Sequence, residues 1–208
     1  MNTTSLELNE IYDLAFNVLK KYGCDDFNAE AVATTVTHAE RDGSISHGLF
    51  RIPGYVASLK SKKANGTSQP STNFLTQNVI RVDGDYGFAP VAIKVGIPSL
   101  VKTTKKHGVG VLTIQNTHHF AALWHETEAL ADNNLIGIAC TAYKPSVAPA
   151  GAKKPLFGTN PISFAWPRPG NTPVVYDMAT ASMAMGEVQV AKREGHKVPL
   201  GTGLTKDG

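Results

Sequence analysis

Apolar residues recur at helical spacing through the first 60 positions of the chain. Leu8, Ile11, Tyr12, Ala15, Val18 and Leu19 form one stripe, and Gly23 closes it. Thr4, followed three residues later by Glu7, predicts a capping box in front of that helix. Asn28 is the expected cap of a second helix with the stripe Ala29, Val32, Ala33, Val36 and Ala39. A third helix is predicted from about 49–53 to 60, with Leu49, Ile52, Val56 and Leu59 facing inward. The polar stretch 61–72, with Asn65-Gly66 and Pro70, reads as a loop.

The period changes after Asn78. Val79-Ile80-Arg81-Val82-Asp83 alternates as a strand does and stops at Gly84-Asp85-Tyr86-Gly87. Positions 89–106 read as helix, bent or broken at Pro98 and ended by His107-Gly108. The apolar run 109–114 suits a buried strand. Helix is expected again over 121–131, then strands at 135–141 and 174–176 and a helix at 183–193, in which Met183 and Met185 read as core residues. Alternating strands and helices predict an α/β fold. Residues 1–75 read as an N-terminal helical layer and 76–208 as a mixed-sheet domain behind it.

Composition narrows the function. With 208 residues the chain is long enough for one sizeable domain or two small ones. Hydrophobic residues are 42%, charged residues 18%, and the net charge is only +3, without a concentrated basic face, so nucleic acid is not an expected partner. No apolar run reaches membrane-spanning length and the N-terminus carries Glu7 and Glu10, so no membrane span or signal peptide is read and a cytoplasmic location is expected. Cys24 and Cys140 read as two reduced thiols.

The densest chemistry lies in Arg41-Asp42-Gly43-Ser44-Ile45-Ser46-His47-Gly48-Leu49-Phe50-Arg51-Ile52-Pro53-Gly54-Tyr55. If the chain is helical from Gly48, His47 and Arg51 share one side of the helix start. A proton donor beside a carboxylate-binding fork suits a small acid bearing a C=O or C=N group. Elsewhere, no G-x-G-x-x-G, phosphate-loop, H-E-x-x-H or G-x-S-x-G pattern occurs, so a nucleotide would bind outside a Rossmann crevice and no nucleophile elbow supports a hydrolase triad on Ser46-His47. His118 and His125 have a spacing that can share a helix face, but no further ligand completes a metal set, and no metal is expected. The stretch 115–122 joins a strand to a helix and is either a phosphate-binding helix start or a plain cap. Gly158-Thr159-Asn160-Pro161 is a turn with or without a role, and Asp177-Met178-Ala179-Thr180 reads as a cap or a cofactor contact.

Taken together, the Arg41–Tyr55 run, His118-His119-Phe120-Ala121-Ala122-Leu123-Trp124, Pro155–Pro161 and Tyr176–Thr180 resemble the malate/L-lactate dehydrogenase-like oxidoreductases of the non-Rossmann type. Within that family they are most similar to the branch that reduces cyclic imine carboxylates. The resemblance implies reduction of delta-1-piperideine-2-carboxylate or delta-1-pyrroline-2-carboxylate to L-pipecolate or L-proline, with NADPH or NADH as cofactor. It also implies a homodimer. In that picture His47 is the proton donor, Ser46 its relay partner and Glu187 the relay carboxylate, while Arg51 and Thr159 bind substrate. His119, Phe120, Ala121, Ala122 and Leu123, with Asp177, Met178 and Ala179, line the cofactor. Alternatives are a 2-keto-acid/2-hydroxy-acid dehydrogenase and an inactive chain that only binds or dimerises. Two departures stand out. Met185-Gly186-Glu187-Val188-Gln189 replaces His-Gly-Asp-Val-Gln, giving the carboxylate an extra methylene. The loop-like end 201–208 reads as an interrupted chain, since the family continues through a Gly-Gly-His-Lys-Gly segment that contributes to cofactor binding.

Overall fold

Helix α1 (Leu8–Lys21) begins at Glu7, whose backbone N–H donates to Glu10 Oε2 at 2.7 Å. The cap is thus shifted from Thr4, because a carboxylate at the third helical position reaches an N–H that the helix leaves unpaired. Gly23, at φ +106°, makes the turn that an L side chain resists. Helix α2 (Asp26–Arg41) is capped by Asp25, which accepts the Asn28 N–H at 2.8 Å. Asn28, the expected cap, is buried instead: its amide donates to Asp25 and the Ser68 carbonyl and accepts the Ser68 hydroxyl at 2.6 Å. The predicted stripe of α2 is fully buried from Ala29 to Ala39.

The computed structural model describes residues 4–205, which fall into two compact units, Met1–Ala122 and Leu123–Gly208. The helical layer, which the sequence separates near residue 75, therefore shares a unit with the first sheet. Two 3-10 turns, Ile45–His47 and Leu49–Arg51, lead into α3 (Ile52–Lys60). Ile52 and Tyr55 are buried among α1 and α2 residues, with Leu49, Val56 and Leu59 packed on that core. Strands β1 (Ser71–Phe74), β2 (Val79–Asp83) and β3 (Val111–Gln115) form one mixed sheet. β1 pairs antiparallel with β2, and β2 pairs parallel with β3. The parallel crossover is α4 (Ala89–His107), which runs through Pro98 unbroken and ends at Gly108, φ +82°. β3 is half exposed, a correction to its reading as a buried strand: it lies at the sheet edge with α4 against one face.

In the second unit α5 (Trp124–Ala131) packs on an antiparallel sheet of β4 (Gly137–Cys140), β5 (Ile162–Arg168) and β6 (Asn171–Met178), followed by α6 (Met185–Glu194). Alternation sends Ser163 and Ala165 inward, while Ile138, Ile162, Trp166, Val174, Tyr176 and Met178 share the opposite face and are exposed. Met183 and Met185 are half buried, Cys24 is a buried free thiol and Cys140 an exposed one. Among the described residues, no helix is long and apolar enough to cross a membrane. Positions 206–208, part of the loop-like end, lie outside the described residues.

Candidate active site

The site in the first unit is built on a close approach between α2 and the turn that follows it. Glu40, in the last turn of α2, accepts the Leu49 N–H at 2.7 Å. A Cβ on Gly48 would lie 2.1 Å from Glu40 Oε1, so only glycine leaves room for that bond. With Gly48 held there, the two 3-10 turns present Ser44, Ser46, His47 and Arg51 in succession. Ser46 Oγ lies 3.0 Å and Ser44 Oγ 3.2 Å from His47 Nδ1. The predicted pair Ser46 and His47 is thus joined side chain to side chain, with Ser46 buried and Ser44 an addition that sequence reasoning missed. The His47 imidazole is pushed down to about 4, mainly by burial and further by the Arg51 guanidinium. Arg51 therefore sits near enough to His47 for its charge to matter, although 3-10 turns and not a helix bring them together.

Two further histidines enter this unit from the loop after β3. His118 is tied to the scaffold: its N–H donates to the Gly87 carbonyl at 2.8 Å, and its carbonyl accepts from Ala89 at 3.1 Å. The Ser58 hydroxyl donates to the Gly54 carbonyl at 3.0 Å, so it accepts the Nε2–H of His118 at 2.8 Å. His118 therefore lies in a loop, while His125 lies in α5, so the seven-residue spacing does not put the two on one helix face. Tyr55, fully buried and edge-on to Phe88, places its hydroxyl 3.1 Å from His119 Nδ1. His119 is pushed down to about 3 by burial first, then by Arg51, His47 and His118. Phe120 stacks on His119 at 6.4 Å between centroids, Ala121 is buried and Ala122 half buried. His119 and Ala121 have φ of +50° and +45°, backbone values that cost non-glycine residues on the order of 1 kcal/mol each.

The second unit has its own cluster. Asp177 Oδ2 on β6 accepts the N–H groups of Leu123 at 2.8 Å and Trp124 at 2.9 Å, capping α5 from across the sheet. Of the two readings of this helix start, phosphate binding or a plain cap, the cap is what is found, supplied by a carboxylate. Burial raises the Asp177 carboxyl, while these two N–H bonds act in the opposite sense. Glu126, in the first turn of α5, was not singled out in the sequence. Its Oε2 is enclosed without a hydrogen-bond partner, and burial, with a smaller push from Asp177, raises it to about 8. Thr159 is buried, and its carbonyl accepts from the Thr180 N–H at 2.9 Å and hydroxyl at 3.2 Å. Met178 closes β6, Ala179 follows it half buried, and Glu187 is exposed in the first turn of α6. Among the described residues, no three His, Cys, Asp or Glu side chains gather as metal ligands.

Comparison with known proteins gives a consistent result. The malate/L-lactate dehydrogenase family profile matches residues 6–208. A delta(1)-pyrroline-2-carboxylate/delta(1)-piperideine-2-carboxylate reductase of Pseudomonas aeruginosa is 38% identical over 98% of this chain and 61% of its own length. A delta(1)-pyrroline-2-carboxylate reductase of Burkholderia multivorans is 41% identical over 93% of this chain and 57% of its own. The crystal structure of delta1-piperideine-2-carboxylate reductase from Pseudomonas syringae superposes with a TM-score of 0.89 at 39% identity, covering 95% of this chain and 59% of that one. Sulfolactate dehydrogenase from Methanocaldococcus jannaschii gives 0.87 at 33% identity, covering 98% and 59%. The chain thus spans about three fifths of the length of the curated relatives it matches.

Proposed function

The chain belongs to the malate/L-lactate dehydrogenase family, and on that premise we propose that it serves the reduction of a cyclic imine carboxylate to an L-amino acid by a nicotinamide dinucleotide, NADPH foremost. The observation that carries this reading is the placement of a neutral imidazole, His47, between two seryl hydroxyls and a guanidinium, Arg51. Relatives at 38–41% identity are reductases of delta(1)-pyrroline-2-carboxylate, and that substrate bears both groups the constellation suits: a carboxylate and a C=N bond. The same reading takes the protein as a homodimer in the cytoplasm, with 1–75 as the catalytic helical region and 76–208 as the cofactor region.

The donor set decides which part of the cofactor fits. Because Asp177 already uses the Leu123 and Trp124 N–H groups, the start of α5 suits a hydroxyl or carboxamide donor at Asp177 and not a phosphate. We assign Leu123 and Asp177–Ala179 to that contact, and His119–Ala122 of the first unit to the cofactor independently of it. When bound, the dinucleotide supplies the hydride that becomes the new C–H bond at C2 of the imine.

The chain's own residues do the rest. Arg51 binds and orients the carboxylate, with Thr159 as a hydroxyl donor or acceptor to the substrate. His47 is neutral at pH 7 in the free protein, since its pKa is about 4. A substrate carboxylate on Arg51 cancels the guanidinium charge and lets His47 hold a proton more readily. His47 then gives that proton to the ring nitrogen as hydride reaches C2, so the C=N π bond becomes C–H and N–H. Ser46 and Ser44 hold the imidazole through Nδ1, and Glu187 is the proposed relay carboxylate.

The test follows NADPH oxidation with piperideine-2-carboxylate and pyrroline-2-carboxylate, with His47→Ala as control. Turnover lost by at least about 100-fold in the variant is expected, in line with the usual worth of a general acid. Unchanged turnover in the variant would remove His47 from the mechanism. A carbonyl substrate is the second reading, favoured by the match to sulfolactate dehydrogenase. It requires that pyruvate or oxaloacetate be reduced faster than the imines.

A further inference from the structure

His47 is neutral in the free protein, yet the reaction proposed above takes a proton from its ring. The ring nitrogen turned to the imine is covered once substrate is bound, which leaves Nδ1 as the side from which solvent restores the charge. Two hydroxyls stand at that nitrogen, Ser46 Oγ at 3.0 Å and Ser44 Oγ at 3.2 Å. A seryl hydroxyl can give a proton to a ring nitrogen or take one from it, so either could serve. They differ in access to water. Ser46 is 1% exposed, whereas Ser44 is half-buried between two exposed residues, Gly43 and Ile45. Backbone bonds fix Ser44 from both ends. At the close of α2 the Gly43 N–H donates to the Glu40 carbonyl at 3.1 Å and the Ser44 N–H to the Ala39 carbonyl at 2.8 Å, with Gly43 supplying the φ of +72° that this cap requires. The Ser44 carbonyl then accepts the His47 N–H at 2.8 Å and opens the first 3-10 turn. Side chains three positions apart eclipse in such a turn, which sets the Ser44 hydroxyl beside the His47 ring.

We propose that Ser44 is the proton entrance of His47: its hydroxyl passes a proton from water to Nδ1 while substrate occupies the other side of the ring. The inference rests on the imine-carboxylate reading for the fate of the proton, not for its route. The transfer balances. A water O–H bond breaks as a new O–H bond forms on Ser44, the proton Ser44 already held forms the Nδ1–H bond, and the Nε2 proton goes to the imine nitrogen. Ser44 ends unchanged, hydroxide stays in solvent, and the ring is left neutral with its proton on Nδ1. Once product has left, Nε2 takes a proton from entering water and Nδ1 returns one through Ser44. Ser44 acts through His47 and is therefore a positioning residue. Ser46, closed off from water, only holds the ring.

The test separates proton exchange from activity. 15N line shapes of the two ring nitrogens of His47, followed through its titration in the 208-residue chain, report how fast each trades its proton with water. Ser44→Ala should slow exchange at Nδ1 about 10-fold and leave Nε2 as it was, and Ser44→Thr, which restores a hydroxyl, should recover the wild-type rate. A ring that was merely loosened would change at both nitrogens. The bonds that fix Ser44 are all backbone bonds, so Ser44→Ala keeps the turn. Unmoved exchange at Nδ1 in Ser44→Ala overturns the proposal, and so does an equal slowing in Ser46→Ala. With piperideine-2-carboxylate, Ser44→Ala should lower kcat by a similar factor at unchanged KM and raise the solvent deuterium isotope effect on kcat. A wild-type kcat in that variant overturns the role in turnover. A wild-type chain that reduces no imine counts against the proposed function, and the exchange rate at Nδ1 still decides this inference.

Discussion

Arg51 acts in two opposite senses on its neighbours. Its charge attracts a carboxylate, yet in the free protein it helps to hold His47 near 4 and His119 near 3. Arg51→Gln removes both effects. Each imidazole should rise, though burial, the larger cause for both, keeps them below the ordinary 6.5. Binding of a carboxylate probe should weaken roughly 10- to 100-fold, the worth of a charged hydrogen bond. An NMR titration of the histidines reads the first outcome, and an unmoved His47 would mean that Arg51 is not its neighbour in solution. Gly48 makes a separate prediction at the same scale. Gly48→Ala drives a Cβ into Glu40, which must release the Leu49 N–H. A loss of about 1 kcal/mol is expected by urea unfolding, because the Glu40 side chain swings aside and the half-buried Leu49 N–H loses its acceptor. Glu40→Gln, which keeps an acceptor and the space, should cost less.

Among the elements, α5 depends most on a residue remote in sequence. Its first two free N–H groups are satisfied by Asp177 on β6, and the helix has only eight residues. Asp177→Ala should therefore destabilise the second unit by about 1–2 kcal/mol and speed hydrogen exchange at Leu123 and Trp124. Exchange that is unchanged at both amides would show that the cap contributes nothing. The contact also illustrates what could be read in advance. Where spacing carried the information, as in the α2 stripe or the β2 alternation, the elements lie where the sequence predicts them. β1 was hidden because all four of its residues are exposed and show no alternation. β5 was hidden because Pro167 lies inside it, at an irregularity between Trp166 and Arg168 that leaves the missing N–H without consequence. Pro98 misled in the other direction, since its exposed side of α4 tolerates the lost bond. At the site, Ser46, His47 and Arg51 were legible because they are close in sequence. Tyr55 with His119, and Asp177 with α5, are pairs separated by more than 50 positions, and a single sequence carries no periodic trace of such contacts.

Across the whole molecule, the groups displaced into or out of the range between pH 3 and pH 8 differ in sense between the two units: histidines lowered in the first, carboxyls raised in the second. In the first unit His47 and His119 have folded values of about 4 and 3 against an ordinary 6.5. The unfolded chain then binds more protons than the folded one between those limits, so stability is full above about 6.5 and falls as pH drops toward 3. In the second unit Glu126 has a folded value of about 8 against 4.5. Here the folded state binds the extra proton, so stability is full below 4.5 and falls as pH rises through 8. The expectation is a first unit that melts earlier in acid and a second that melts earlier in mild alkali. Displacements of this size are worth on the order of 3–5 kcal/mol each, enough to separate the transitions. Tryptophan fluorescence isolates the second unit, because Trp124 and Trp166 both lie in it. Its midpoint should fall between pH 5 and pH 8.5, and Glu126→Gln, which cannot ionise, should flatten that fall while leaving the acid limb of the first unit intact. A wild-type midpoint that holds or rises over this range would mean that Glu126 is not buried as a protonated acid.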